Sequence, residues 1–95
     1  MATKTMYHAT DASNAESIRE NGLRADERGL VFVTTSHSEA ERVGEIYPTI
    51  DDTVVFEVEV REHQIEADPD PHGDLDSRAV RASDKIPSQY VEVAE

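Results

Sequence analysis

The chain has 95 residues, of which 37% are hydrophobic, with two Phe, three Tyr and no Trp, enough for one modest core and one domain over residues 1–95. Its 21 acidic residues against nine basic ones give a net charge of −12, and no Lys/Arg cluster exists, which excludes a basic nucleic-acid footprint. The lack of cysteine excludes disulfides and thiolate metal sites, and no apolar run approaches the roughly 20 residues of a membrane-spanning helix.

In chain order, residues 5–9 (Thr-Met-Tyr-His-Ala) read as a short strand stopped by Asp11. Ser13 and Glu16 have the spacing of a capping box, which predicts a helix over 13–21 with Ala15 and Ile18 inward. Gly22 is placed to close that helix in a left-handed conformation, and Leu23 to fold back on its end. After the turn Glu27-Arg28-Gly29, residues 30–35 (Leu-Val-Phe-Val-Thr-Thr) have the β-branched and aromatic content of a second strand. Ser36 and Glu39 form a second capping-box pattern. It opens a helix over 37–47 with an apolar stripe of Ala40, Val43, Ile46 and Tyr47, ended by Pro48.

Residues 53–61 alternate with period two, Val54, Phe56, Val58 and Val60 against Val55, Glu57, Glu59 and Arg61, the pattern of a half-buried strand. Residues 66–77 hold two Pro, a Gly and many acids and read as loop; 78–82 and 89–93 read as closing strands around the Asp84–Pro87 turn. The predicted order is β-α-β-α-β-β-β, an α+β domain with a mixed or antiparallel sheet carrying two helices.

Few side chains carry chemistry on spacing alone. His8, His37, His63 and His72 have no metal-ligand spacing, so no metal site is expected, and no Gly-x-Ser-x-Gly, P-loop or Gly-x-Gly-x-x-Gly motif occurs. Glu57 and Glu59 read as a solvated face. His8 in a strand reads equally as a satisfied structural histidine; Arg28 as a turn arginine pairing with Asp26 or Glu27; Arg78 and Arg81 as partners of Asp74 and Asp76; Tyr47 and Tyr90 as core aromatics.

What remains is Tyr7-His8-Ala9-Thr10 followed by a helix ending Gly22-Leu23. This resembles the Tyr-His-Gly-Thr strand and following helix of the RNA 2′-phosphotransferases and related ADP-ribosyltransferases. The resemblance continues in order through Arg28 with Val31, Thr34 and Thr35, then Ala40, Val43 and Gly44, then Val54 to Val60, Val80, and Ile86, Pro87 and Tyr90. It covers roughly residues 6 to 92.

The resemblance implies an ADP-ribosyltransferase-like fold and NAD as cosubstrate. It implies that His8 hydrogen-bonds a ribose hydroxyl and that Thr10, Thr34, Thr35 and Ser36 shape the cofactor site. Arg28 would be the phosphate-contacting, catalytic residue. A neutral imidazole can donate to and accept from vicinal hydroxyls, and a guanidinium binds phosphate bidentately. The sequence departs from the pattern at Ala9, where the family has Gly; at Leu30 and Phe32, where it has histidines; and at Arg78-Ala79-Val80-Arg81, where it has Asn-Gly-Val-Trp. The family's N-terminal lobe, with its catalytic Arg-His pair, has no counterpart in the sequence.

The expected function is NAD or ADP-ribose binding, with ADP-ribosyl or RNA 2′-phosphate transfer to an RNA or protein acceptor as its catalytic form. The alternative is a catalytically inactive interaction module of the same fold. The N-terminus Met-Ala-Thr-Lys lacks a signal-peptide core, so the expected compartment is cytoplasmic, with no membrane association. Acids spread along the whole chain, with only Lys4 and Lys85 as lysines, point to adaptation to very high salt.

Overall fold

In a computed structural model the chain is an α+β fold of two helices and a mostly antiparallel sheet, and the structure describes residues 2–48, 50–69 and 75–94. The strands are β1 (Thr3–Asp11), β2 (Leu23–Arg24), β3 (Leu30–Thr34), β4 (Thr53–Arg61), β5 (Ile65–Ala67), β6 (Ser77–Arg81), β7 (Lys85–Ile86) and β8 (Val91–Val93); the helices are α1 (Ala15–Asn21) and α2 (His37–Ile46). Six strands form one sheet in the order β5-β6-β3-β1-β4-β8, and β2 pairs with β7 apart from it. The order of the main elements follows the sequence. The short strands β2, β5 and β7 lie outside the predicted strands, β7 in the expected Asp84–Pro87 turn and most of β5 in the expected 66–77 loop, and residues 70–74 of that loop, with His72 and Asp74, lie outside the described residues.

The two faces of β4 explain the layering. Met6↔Val58 and His8↔Phe56 are cross-strand partners, so the β1 residues Met6 and His8 share a face with Phe56, Val58 and Val60. That face holds the main core with Val31, Val33, Val80 and Val91, and α1 covers it through Ile18 and Ala15, with Leu23 and Ile86 of the small β2–β7 pair beside it. Phe56 and Val58 are fully enclosed, as the period-two pattern requires.

Helix α2 lies on the other face. The Tyr7 and His37 rings meet edge-on at 6.0 Å, and Tyr7 points opposite to His8 along the strand. Val55, on this second face, is therefore buried as well. A Cβ on Gly44 would come within 1.9 Å of the Thr53 hydroxyl oxygen, so glycine is what lets α2 approach β4. The contact row is then Ala40 and Gly44, and Ile46 and Tyr47 of the expected stripe are left 36% and 39% exposed. Tyr90 is likewise exposed and is not a core aromatic.

The first helix begins differently from its sequence pattern. Asp11, the last residue of β1, caps a 3-10 turn over Ala12–Asn14, and α1 starts after it with Asn14 as an N-cap whose side chain makes no capping bond. The Ser13 hydroxyl donates to Asp11 Oδ2 at 2.5 Å, so it is not a helix cap and the Ser13–Glu16 box does not form. A stronger acceptor stood two residues earlier. Before α2 the expectation half holds: the Ser36 hydroxyl accepts from the Glu39 N–H at 3.3 Å, while the Glu39 carboxylate pairs with Arg42 at 3.0 Å.

Gly22 closes α1 with φ +83° and ψ −171°, on the glycine side of the map but extended and not left-handed helical. It then carries the chain straight into β2.

Candidate functional site

β1 pairs with β4 over nine residues but with β3 only at Tyr7↔Thr34. Past that bridge the two central strands part, and a cavity of about 590 Å³ opens between them under the end of α2. Its walls include Tyr7, His8 and Thr10 of β1, Phe32 of β3, Tyr47 after α2, and Arg28 from the turn before β3.

Where the ladder breaks, the Phe32 carbonyl would lose its strand partner, and His8 takes its place: Nδ1 lies 2.7 Å from that oxygen. A carbonyl only accepts, so Nδ1 carries the proton and donates it. Desolvation by the surrounding core lowers the His8 pKa, more than the bond to Phe32 raises it, and the ring is neutral. No buried side-chain nitrogen or oxygen among the described residues lacks a partner, and Nε2 makes no bond within the chain, so Nε2 reaches open space. His8 is thus both the satisfied structural histidine and a fixed acceptor on the cavity wall. The expected dual donor and acceptor role toward vicinal hydroxyls is reduced to accepting.

Arg28 reaches the same cavity. Its turn is built by Asp26, whose Oδ1 accepts from the N–H of Arg28 at 2.8 Å and of Leu30 at 3.1 Å, with Gly29 at φ +76° closing it. Asp26 Oδ2 then accepts from Arg28 Nε and Nη2 at 3.3 and 3.1 Å, and the guanidinium lies over the Phe32 ring, 5.3 Å from its centre. The turn-arginine reading is therefore correct as far as it went, and the same pairing aims the cation at the cavity rim.

The remaining expected site residues divide. Thr10 lines the cavity and its hydroxyl accepts from the Asn14 side chain at 3.1 Å. Thr34 also lines it, but is 2% exposed and donates its hydroxyl to the Ser36 carbonyl at 2.9 Å. Thr35 donates to Asp76 at 2.6 Å and Ser36 caps α2; neither borders the cavity. Their positions after β3 turn them toward the β6 side and the helix end.

Sequence reasoning missed Asp11, Asp68 and Ser77. The Ser77 hydroxyl donates to Asp68 at 2.6 Å across the β5–β6 hairpin, at the cavity's far wall. Asp11 accepts from the Ser13 hydroxyl and N–H, and from the Asp51 and Asp52 N–H groups at 2.9 and 3.1 Å. Those bonds, the Ser13 hydroxyl first, hold its carboxyl far below the usual carboxylate range. Asp11 is a clamp joining the end of β1 to the chain before β4, and with its oxygens engaged it is a poor general base. The Asp-x-Ser spacing of an Asx turn was readable; its partners 40 residues away were not.

Of the other expected surface pairs, Arg78 does meet Asp76, at 2.6 Å, while Arg81 pairs with Glu66 and not with Asp76. No helix among the described residues is long and apolar enough to cross a membrane. Compared with known proteins, the chain matches no family model and no curated sequence.

Proposed function

We propose that the cavity between β1 and β3 is a nucleotide-binding site for NAD or ADP-ribose, in an ADP-ribosyltransferase-like module that acts by binding and not by transfer. The observation that carries this reading is that His8 and Arg28, from different elements, border one cavity with their polar groups fixed. A ribose hydroxyl donates to His8 Nε2, whose tautomer the Phe32 carbonyl sets. The pyrophosphate lies toward the Arg28 guanidinium at the cavity rim. A volume of about 590 Å³ is in the range of small-molecule sites.

Binding is placed ahead of ADP-ribosyl or RNA 2′-phosphate transfer because Asp11, the carboxylate nearest the His8 strand end, is saturated with donors. Ala9 adds a methyl where the family has glycine, and affinity is modest. The interaction-module reading differs in leaving the cavity without a nucleotide.

The test is titration with NAD and ADP-ribose in 2 M KCl, followed by amide resonances. Shifts are expected at residues 7–10 and 28–34. A charged hydrogen bond contributes about 1.5–3 kcal/mol, so Arg28→Ala should weaken binding roughly tenfold or more, and His8→Ala by a similar or smaller factor. No shifts at millimolar ligand, or shifts that avoid both segments, would overturn the reading in favour of the interaction module.

A further inference from the structure

A second cavity of about 590 Å³ lies at the other end of β1, bordered by the end of β4, by β7 and by the 3-10 turn that carries Tyr90. Its charge distribution runs against that of the molecule. Arg28, Arg42, Arg78 and Arg81 are each tied to a carboxylate. Arg61 and Lys85, both exposed and both on the second cavity's wall, have no acidic partner among the described residues. Arg24 stands directly across from Lys85 in the β2–β7 pair and Lys4 directly across from Val60 of the cavity floor, so further cations border the same end. In a chain with 21 acids and nine bases, two unneutralised cations converging on one concavity from separate elements call for an anion.

The rest of the wall narrows the class. Val60, Ala82 and Ile86 make an apolar floor, buried to 8% exposure or less, and Tyr90 stands beside it with 43% of its surface open. One carboxylate is present, Glu59, and it accepts from the Thr3 hydroxyl at 3.2 Å. From this juxtaposition we infer that the second cavity binds a nucleoside monophosphate, its phosphate between Arg61 and Lys85 and its base against the Tyr90 ring. An apolar anion-binding wall with one open aromatic face suits a planar ring ester-linked to phosphate better than inorganic phosphate alone. The site is independent of the cavity at His8.

The experiment is an amide-resonance titration of the whole chain with AMP, inorganic phosphate and adenosine separately, in 0.3 M KCl. AMP should shift residues 61, 83, 85 and 90, and phosphate alone should shift 61 and 85 with at least fivefold weaker affinity. Arg61→Gln with Lys85→Gln should weaken AMP binding tenfold or more. Tyr90→Ala should weaken AMP binding at least threefold and leave phosphate binding unchanged. Circular dichroism of each variant checks that it is folded. AMP shifts confined to residues 7–10 and 28–34, or a double variant within twofold of the parent, would overturn the inference. Loss of NAD binding at the first cavity with AMP shifts retained at the second would sink only the first reading.

Discussion

His8 carries two roles whose separation can be measured. Its burial disfavours the imidazolium, so the folded pKa lies below the ordinary 6.5 of the unfolded chain. Between those two values the unfolded chain binds a proton that the folded chain does not, so stability falls as pH drops below about 6.5 and is unaffected above it. In a pH series at 2 M KCl, the parent should lose stability from pH 6.5 downward, and His8→Gln should lose less over the same window. Nitrogen chemical shifts should report a neutral ring protonated at Nδ1 at pH 7. A ring found charged at pH 7, or protonated at Nε2, would remove the fixed acceptor on which the nucleotide site depends. The motif around His8 was legible in the sequence because it is local, Tyr7 to Thr10. The bond to Phe32 was not, since it depends on how far two strands separated by the 18 residues 12–29 stay paired.

At the scale of elements, legibility tracked the strength of the local pattern. The β4 alternation and the Ser36 cap were read correctly, because period two, and a Ser-x-x-Glu spacing with no carboxylate two residues before it, have one good solution. The Ser13 cap failed because Asp11 outcompeted it, and α2 finds a second apolar surface because Val55 is buried on the face of β4 opposite Phe56 and Val58. The α1–β2 junction gives the sharpest element-scale prediction. A Cβ on Gly22 would meet the Ile86 carbonyl oxygen at 2.0 Å and the Ser88 nitrogen at 2.9 Å, both backbone, with φ at +83°. At Gly29, φ is +76° but the nearest obstacle, the Ala82 carbonyl oxygen, is 3.2 Å away. Backbone strain alone costs about 1–3 kcal/mol, so Gly29→Ala should fall in that range and Gly22→Ala should exceed about 3 kcal/mol. Denaturant melts of the two variants give the comparison; equal costs would mean that β2 and β7 do not hold Gly22 as described.

For the whole molecule, the decisive quantity is the net charge of −12 on 95 residues. The ion pairs that offset it are exposed, such as Arg28–Asp26 with side chains 50% and 35% open, and exposed pairs contribute little. Acids also face each other: Glu57 of β4 is the direct cross-strand partner of Glu92 of β8, and both are exposed. Like charges placed so cost about 0.2–1 kcal/mol in dilute buffer. The Debye length falls from about 10 Å at 0.1 M salt to about 3 Å at 1 M, so repulsion between exposed charges is screened at high salt. The melting temperature should therefore rise markedly between ~0.1 M and ~2 M KCl. Glu92→Gln separates screening from other effects of salt. It relieves one repulsion, so it should stabilise the chain at 0.1 M KCl, and that gain should shrink at 2 M, where the repulsion is already screened. A parent melting temperature flat across the range, or a Glu92→Gln gain equal at both concentrations, would overturn the salt-adaptation reading and leave the acidic surface in need of a partner.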